Sequence, residues 1–217
     1  MAFKSSTRGL SAAGSGDVSI DVPAGSSAGD LALVTVFVES DATLTPPAGF
    51  SVVSDAAGSP SNSQGRLVVF GRFLTAPESG SWGVGFGTNS AYREVNAFLF
   101  SGRSGSIPTP GKVLSPSGTS VVIPGVVAAA GADLVAIVVT FNGGATTPPP
   151  GFTEVHDFGD VTSVSTQPNV AAGATGTKTV TLANPGPAHG LLLALAPSST
   201  GSPAPGSTGW QVGSIAC

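Results

Sequence analysis

The sequence predicts an all-β fold: an antiparallel β-sandwich, jelly-roll-like, built from two pseudo-repeats of about six strands each. Three observations lead there. Runs of Val, Ile, Phe and Thr recur between clusters of Gly, Pro, Asp and Ser. No segment carries a convincing helical period of apolar residues. The pattern of the first half is written again in the second half. Composition agrees, since 31 of 217 residues are Gly and 18 are Pro, while charged residues make up 9% against a usual ~25%. Low charge alone would suit a disordered chain, but 41% hydrophobic residues supply a core, so the chain is expected to fold.

The elements follow in order. Residues 1–16, MAFKSSTRGLSAAGSG, read as an N-terminal arm. Its two basic residues are not followed by the roughly 7–15 apolar residues of a signal peptide, so ordinary secretory export is not expected. The first pseudo-repeat, 17–102, has predicted strands at 18–22, 31–38, 50–55, 66–74, 81–87 and 95–101. A Gly/Ser/Pro connection, RSGSIPTPGK, occupies 103–112. The second pseudo-repeat, 113–197, has predicted strands at 119–123, 133–141, 152–158, 160–166, 177–183 and 190–196. VSIDV, FSVV and FTEVHDF alternate in polarity, which suits strands with one wet face. LALVTVFV, LVAIVV, NAFLF and LLLALA do not alternate, so they belong in the middle of sheets with both faces covered. Each fully buried Val, Leu or Phe contributes roughly 1.5–3 kcal/mol, so these four strands dominate the stability. Two such strands per repeat need cover on both sides, and a homo-oligomer would supply it.

The repeat is specific in its residues. Pro23 answers Pro124, Asp30-Leu31 answers Asp133-Leu134, Gly49-Phe50 answers Gly151-Phe152, and Val53 and Asp55 answer Val155 and Asp157. The phrases TLTPPAGFSVV (43–53) and ATTPPPGFTEV (145–155) then read as the same stiff connection: Pro restricts the backbone, Gly permits the turn, and Phe re-enters the core. The repeat also disposes of a false membrane span. Residues 121–141 are apolar enough to suggest one, yet their counterpart in the first repeat holds Asp21, Ser26, Ser27, Asp30 and Thr35. Two arrangements remain open, one sandwich shared about a pseudo-two-fold axis or two small sandwiches in tandem.

The same residues limit function. Eight Lys and Arg scattered singly in a chain of net charge −4 offer no stripe for a phosphate backbone, so nucleic acid is not an expected partner. Cys217 is the one cysteine, which excludes an internal disulfide and a multi-cysteine metal site. Nucleotide, calcium and zinc-finger spacings are absent, and no cofactor is expected. GSSAG at 25–29 fits a nucleophile elbow, but that motif needs a helix after it, and here a strand follows Ser26 and Ser27. EVHDFGD at 154–160 gathers Glu154, His156, Asp157 and Asp160, to be read as a solvated strand face with its turn, a Ca²⁺ or Zn²⁺ site, or a general acid/base group. Asp30 and Asp133 each stand at a strand start, where a carboxylate accepts backbone N–H bonds. Trp82 reads as core. Tyr92 and Arg93, placed in a loop, are the best surface pair for contact with a ligand such as a host-surface glycan. Residues 198–209 form a Gly/Ser/Pro linker, and the tail 210–217 brings Trp210, Val212 and Ile215 to dock as an edge strand on their own domain or on a neighbour.

One wider pattern is family-like. A-G-D-L-x-L-V, followed after an apolar strand by T-x-T-P-P-A-G-F-x-V-V, an aromatic-rich strand and then A-F-L-F-S-G, resembles a family of β-sandwich virion proteins of tailed bacteriophages. Many come from phages of actinobacteria and are commonly labelled minor tail proteins. The resemblance covers 17–102 well and the second repeat more loosely, and Phe50 and Phe152 stand where the family more often has Trp. It implies a non-enzymatic structural protein of the virion, in the tail, tail tip or capsid decoration, assembled in the host cytoplasm against other virion proteins. No catalytic residue comes with it. A receptor- or carbohydrate-binding β-sandwich is the alternative.

Overall fold

A strand buries one face or both, and a chain with this many apolar strands must stack them in layers. The structure, a computed structural model, describes residues 2–13, 16–40, 42–57, 65–87, 92–102, 106, 107, 109–115, 117–158 and 161–197. Among these residues there are strands and no helix, so none is long and apolar enough to cross a membrane. The first half contributes β1 (Ala2–Ala13), β2 (Val18–Asp21), β3 (Leu31–Val38), β4 (Ser51–Ala57), β5 (Arg66–Phe73), β6 (Ser81–Val84) and β7 (Tyr92–Ser101). The second contributes β8 (Gly111–Ser115), β9 (Ser120–Ile123), β10 (Val127–Ala128), β11 (Ala132–Thr140), β12 (Thr146–Thr147), β13 (Thr153–Phe158), β14 (Thr162–Val170), β15 (Gly173–Ala174), β16 (Lys178–Leu182) and β17 (Ala188–Leu195).

Two five-stranded antiparallel sheets form the centre, in the orders β1-β7-β3-β5-β4 and β8-β17-β11-β14-β13. Each half thus lays its long strands in the same order. The two sheets face each other: Leu31, Leu33, Phe37, Phe98 and Phe100 of the first pack with Val135, Ile137, Val139, Leu191 and Leu193 of the second. Alternate residues point outward. On the first sheet Ala32, Val34 and Val36 meet Val18, Ile20, Trp82 and Val84 from the small β2-β6 sheet. On the second, Leu134, Ala136 and Val138 meet Val121, Ile123, Val180 and Leu182 from the β12-β16-β9 sheet. The result is a shared central sandwich with an outer cover on each side. Every residue of β3, β11 and β17 is buried. The cover that the sequence assigned to a second copy is therefore supplied by the chain itself.

The twice-written connection has one geometry. Phe50 N–H donates to Pro47 C=O at 3.0 Å, and Phe152 N–H to Pro149 C=O at 3.0 Å. Gly49 has φ of 78° and Gly151 of 83°, the left-handed third position of a tight turn, which a side chain would strain. The Asp-Leu correspondence needs correcting. Leu31 lies in the central core, whereas Leu134 lies in the outer one. Because side chains alternate, a one-residue slip reverses every face, and it is Val135 that shares the central position with Leu33. β11 itself alternates regularly, with Ala132 and Leu134 both facing the outer core, and the register shift opposite them puts its extra residue in β14, where Asn169 has φ of 55°.

Two strands escaped the sequence pattern. β1 lies within the stretch read as an arm, and β8 begins within the stretch read as a connection. Neither alternates cleanly, because both are edge strands whose ladder is held by the backbone: β1 pairs along β7, and β8 along β17. β1 has register shifts between Phe3 and Ser5 and between Arg8 and Ser11. β4 has one between Val52 and Ser54, and β13 one between Glu154 and His156.

Candidate functional site

Polar residues inside an apolar strand need partners, and Glu94 and Asn96 are the two that interrupt the inward face of β7. Glu94 is 0% exposed, with its carboxylate accepting hydrogen bonds from Asn96 Nδ2 at 2.8 Å and from Thr162 Oγ1 of β14 at 2.6 Å. Arg8 of β1 brings Nη2 to 3.7 Å from the other carboxylate oxygen. Beside it, Ser6 Oγ and His156 Nδ1 are hydrogen-bonded at 2.8 Å across the two halves. The His156 ring packs edge-on to Phe98, centroids 4.8 Å apart, and tilted against Phe158 at 4.4 Å. The Arg8 guanidinium lies 5.1 Å from the Phe158 ring centroid. Burial, with the positive charge of Arg8 adding to it, pushes the His156 pKa down to about 4. The imidazole is therefore neutral near pH 7. This cluster is a polar seam that joins the halves along the β1 and β13 rim. Its members face one another across the two sheets.

The other rim is open. A groove of about 560 Å³ lies between the start of β4, the end of β5 and the residues leading into β8. Val53, Phe73, Ile107 and Pro110 give it apolar walls, Arg72 and Thr109 add polar ones, and Val52 at its edge is 58% exposed. A side chain on Gly71 would put Cβ 2.6 Å from Ile107 Cδ1, so this glycine is what lets Ile107 settle onto the sheet. Arg72 is already engaged: Nη2 donates to Glu78 Oε2 at 2.5 Å, and the guanidinium sits 4.7 Å from the Phe50 centroid. Trp82 Nε1 donates to the same Glu78 oxygen at 2.8 Å. Nearby, Arg66 grips Asp55 with Nε and Nη2 at 2.8 and 2.5 Å. Those hydrogen bonds, helped by the charges of Arg66 and Lys112 and opposed by burial, hold the Asp55 carboxyl below the usual range.

The residues singled out in the sequence fall into distinct places. Ser26 Oγ donates to Glu78 C=O at 2.7 Å and accepts from Glu78 N–H at 2.8 Å, so the hydroxyl ties two loops together. Ser27 N–H donates to Asp30 Oδ2 at 2.8 Å, β3 follows directly, and no elbow forms. Asp30 also pairs with Lys4 at 2.7 Å, and Asp133 Oδ1 accepts from Asn169 N–H at 2.6 Å, the strand-start role expected of both. Glu154 accepts from Ser163 Oγ at 2.7 Å and Thr146 Oγ1 at 3.3 Å, on different neighbours from His156, and Asp157 is exposed. Asp160 lies outside the described residues. Among the described residues no group of three or more His, Cys, Asp or Glu is placed to hold a metal ion.

Tyr92 and Arg93 were expected in a surface loop and are instead the first residues of β7. Tyr92 is half-buried against Phe37. Arg93 is 3% exposed, its guanidinium 4.8 Å from the Phe86 centroid and donating to Gly16 C=O. The aliphatic pattern that marked 95–101 as a strand hid the polar start of the same strand. Trp82 is core, 5.0 Å and edge-on from Phe50. Trp210, Val212 and Ile215 lie outside the described residues. The seam residues Ser6, Arg8 and Thr162 went unnoticed because their partners are distant in sequence, though Glu94 and Asn96, two apart in an apolar run, carried a readable signal.

No family model matches the chain, and neither a curated protein nor a solved structure shows significant similarity to it.

Proposed function

We propose that this chain is a non-enzymatic structural protein of a tailed-bacteriophage virion, a minor tail or tail-tip component or a capsid decoration protein. It acts by assembly with other virion proteins on a particle built in the host cytoplasm. The observation that carries this reading is the paired Pro-x-Gly-Phe turn, with the same hydrogen bond and the same glycine conformation in both halves. That phrase anchors the sequence resemblance, and in both copies it is construction. The chemically capable side chains support it further: Ser26, Glu94 and His156 are all bonded into the frame. The glycan-binding alternative drew on Tyr92 and Arg93; in β7 Arg93 is buried and Tyr92 is half-buried against Phe37.

The test is immunogold labelling of purified phage particles from the culture that carries the gene, with peptide mass spectrometry on the same particles. Gold on the tail or capsid exterior is the expected result. Particles without this chain would overturn the reading.

A further inference from the structure

We propose that Asn142 is a self-modification site, where the Gly143 backbone nitrogen converts the Asn142 side-chain amide to aspartate and isoaspartate and so unfastens two neighbouring connections. The chain has six asparagines, and Asn142 is the one followed by glycine. That neighbour matters because its backbone nitrogen is the nucleophile, and glycine carries no Cβ to crowd the approach. The other asparagines are worse placed. Asn62 and Asn89 precede serines, Asn169 precedes the branched Val170, and Asn184 precedes Pro185, which has no N–H to give up. Asn96 is 1% exposed within β7. Asn142 is exposed, so water reaches it, and among the described residues no acceptor takes the Gly143 N–H.

The reaction balances with water alone. The Gly143 nitrogen loses its proton and bonds to Asn142 Cγ, the Cγ–Nδ2 bond breaks, and Nδ2 departs as ammonia to leave a cyclic imide. Water then opens the imide at one carbonyl or the other, giving aspartate or isoaspartate. What this undoes lies between two connections, 141–145 from β11 to β12 and 183–187 from β16 to β17. Asn142 Nδ2, the atom that leaves, donates to Pro185 C=O at 2.7 Å. Asn184 Nδ2 donates to Asn142 C=O at 3.4 Å and to Gly143 C=O at 3.3 Å, which restrains the peptide plane that must rotate for the attack. On either side, Phe141 N–H donates to Pro187 C=O at 3.2 Å and Ala183 N–H to Ala145 C=O at 3.0 Å. A carboxylate in place of the amide sets an oxygen against the Pro185 carbonyl with no hydrogen between them. Isoaspartate also inserts a methylene into the backbone. The clamp therefore slows the reaction, and the reaction removes the clamp.

The inference stands apart from the virion reading, and its test uses the full-length chain alone. Protein is held at about pH 7.5 and about pH 8.5 and digested at intervals, and the peptide bearing residue 142 is followed by chromatography with mass spectrometry. Two acidic isomers of that peptide are expected, forming about tenfold faster at the higher pH, because each pH unit raises the deprotonated fraction of a weak acid about tenfold. Asn184→Ala should quicken the conversion severalfold, and Asn142→Gln, whose longer side chain closes the ring poorly, should stop it. In the converted protein the amides of Phe141 and Ala183 should lose their protection from hydrogen exchange. An amide that persists at 142, aspartate without isoaspartate, a rate indifferent to Asn184→Ala, or unchanged exchange at Phe141 and Ala183 would each overturn the proposal.

Discussion

The two outer covers solve one problem in different ways. Over the first five-stranded sheet the cover is a narrow pair, β2 and β6, and the core beneath it is filled with bulk: Phe50, Phe70, Leu74, Trp82 and Phe86. Over the second, three strands and the β10-β15 ribbon spread wider, and the core is small: Ala128, Ala132, Ala136, Ala188 and Ala194 among Val, Ile and Leu. The equivalent turn phenylalanine is buried on one side and half-buried on the other. A sheet face can be dried by few large side chains or by more backbone carrying small ones. The first way concentrates stability in single residues, and the second distributes it.

Substitutions can break that contrast. Trp82→Ala should be the most damaging, about 3–5 kcal/mol, because it opens a cavity and removes one of the two donors, the indole and Arg72, that share the Glu78 carboxylate. Leu182→Ala, the nearest test of the broad cover, should fall toward the lower part of the ~2–5 kcal/mol range for such truncations. Chemical denaturation of both variants checks the pair, and equal losses would mean that breadth shares no load.

The seam belongs to neither cover and can be probed separately by pH. The folded pKa of His156, about 4, lies below the ordinary 6.5, so the unfolded chain binds the proton first. Stability from this residue is complete above about pH 6.5 and falls as pH drops toward 4, by on the order of 1–2 kcal/mol at pH 5. His156→Phe should flatten the denaturation midpoint between pH 7 and 5. Asp55 titrates lower, so its loss begins only at more acid pH.

Gly49→Ala and Gly151→Ala should cost about 1–2 kcal/mol each, since both force a side chain into the left-handed region. The two losses should match if the turns are equivalent. A Cβ would meet Arg72 Nη1 at 3.1 Å in one case and Gln167 Nε2 at 3.0 Å in the other, so neither site has more room. The smallest effect should come from Asp55→Asn, which breaks a half-exposed ion pair with Arg66, at about 0–1 kcal/mol by thermal melt.

Much of this fold was legible because apolar runs and their punctuation are local signals. The run LALVTVFV announced β3 at Leu31–Val38, and GLLLALAP announced most of β17. What stayed hidden depends on distant partners. β1 is a strand because β7 offers it an edge, and nothing within MAFKSSTRGLSAAGSG says so. Which face Leu134 would take was likewise unreadable, since it depends on which core each face of β11 meets, the central one or the outer one. The groove arises where Ile107 crosses Gly71, a meeting of two segments far apart in the chain.

The register shifts in β1, β4 and β13 carry a consequence for how this protein meets others. A strand edge with regular spacing is a template on which another chain can extend the sheet without limit. A displaced residue spoils the spacing of donors and acceptors, so an incoming strand finds a ladder with broken rungs. Three of the four outermost strands of the central sandwich are interrupted in this way. Crowded copies of such a molecule can touch through faces or through tails, but they have little means of growing into a fibre.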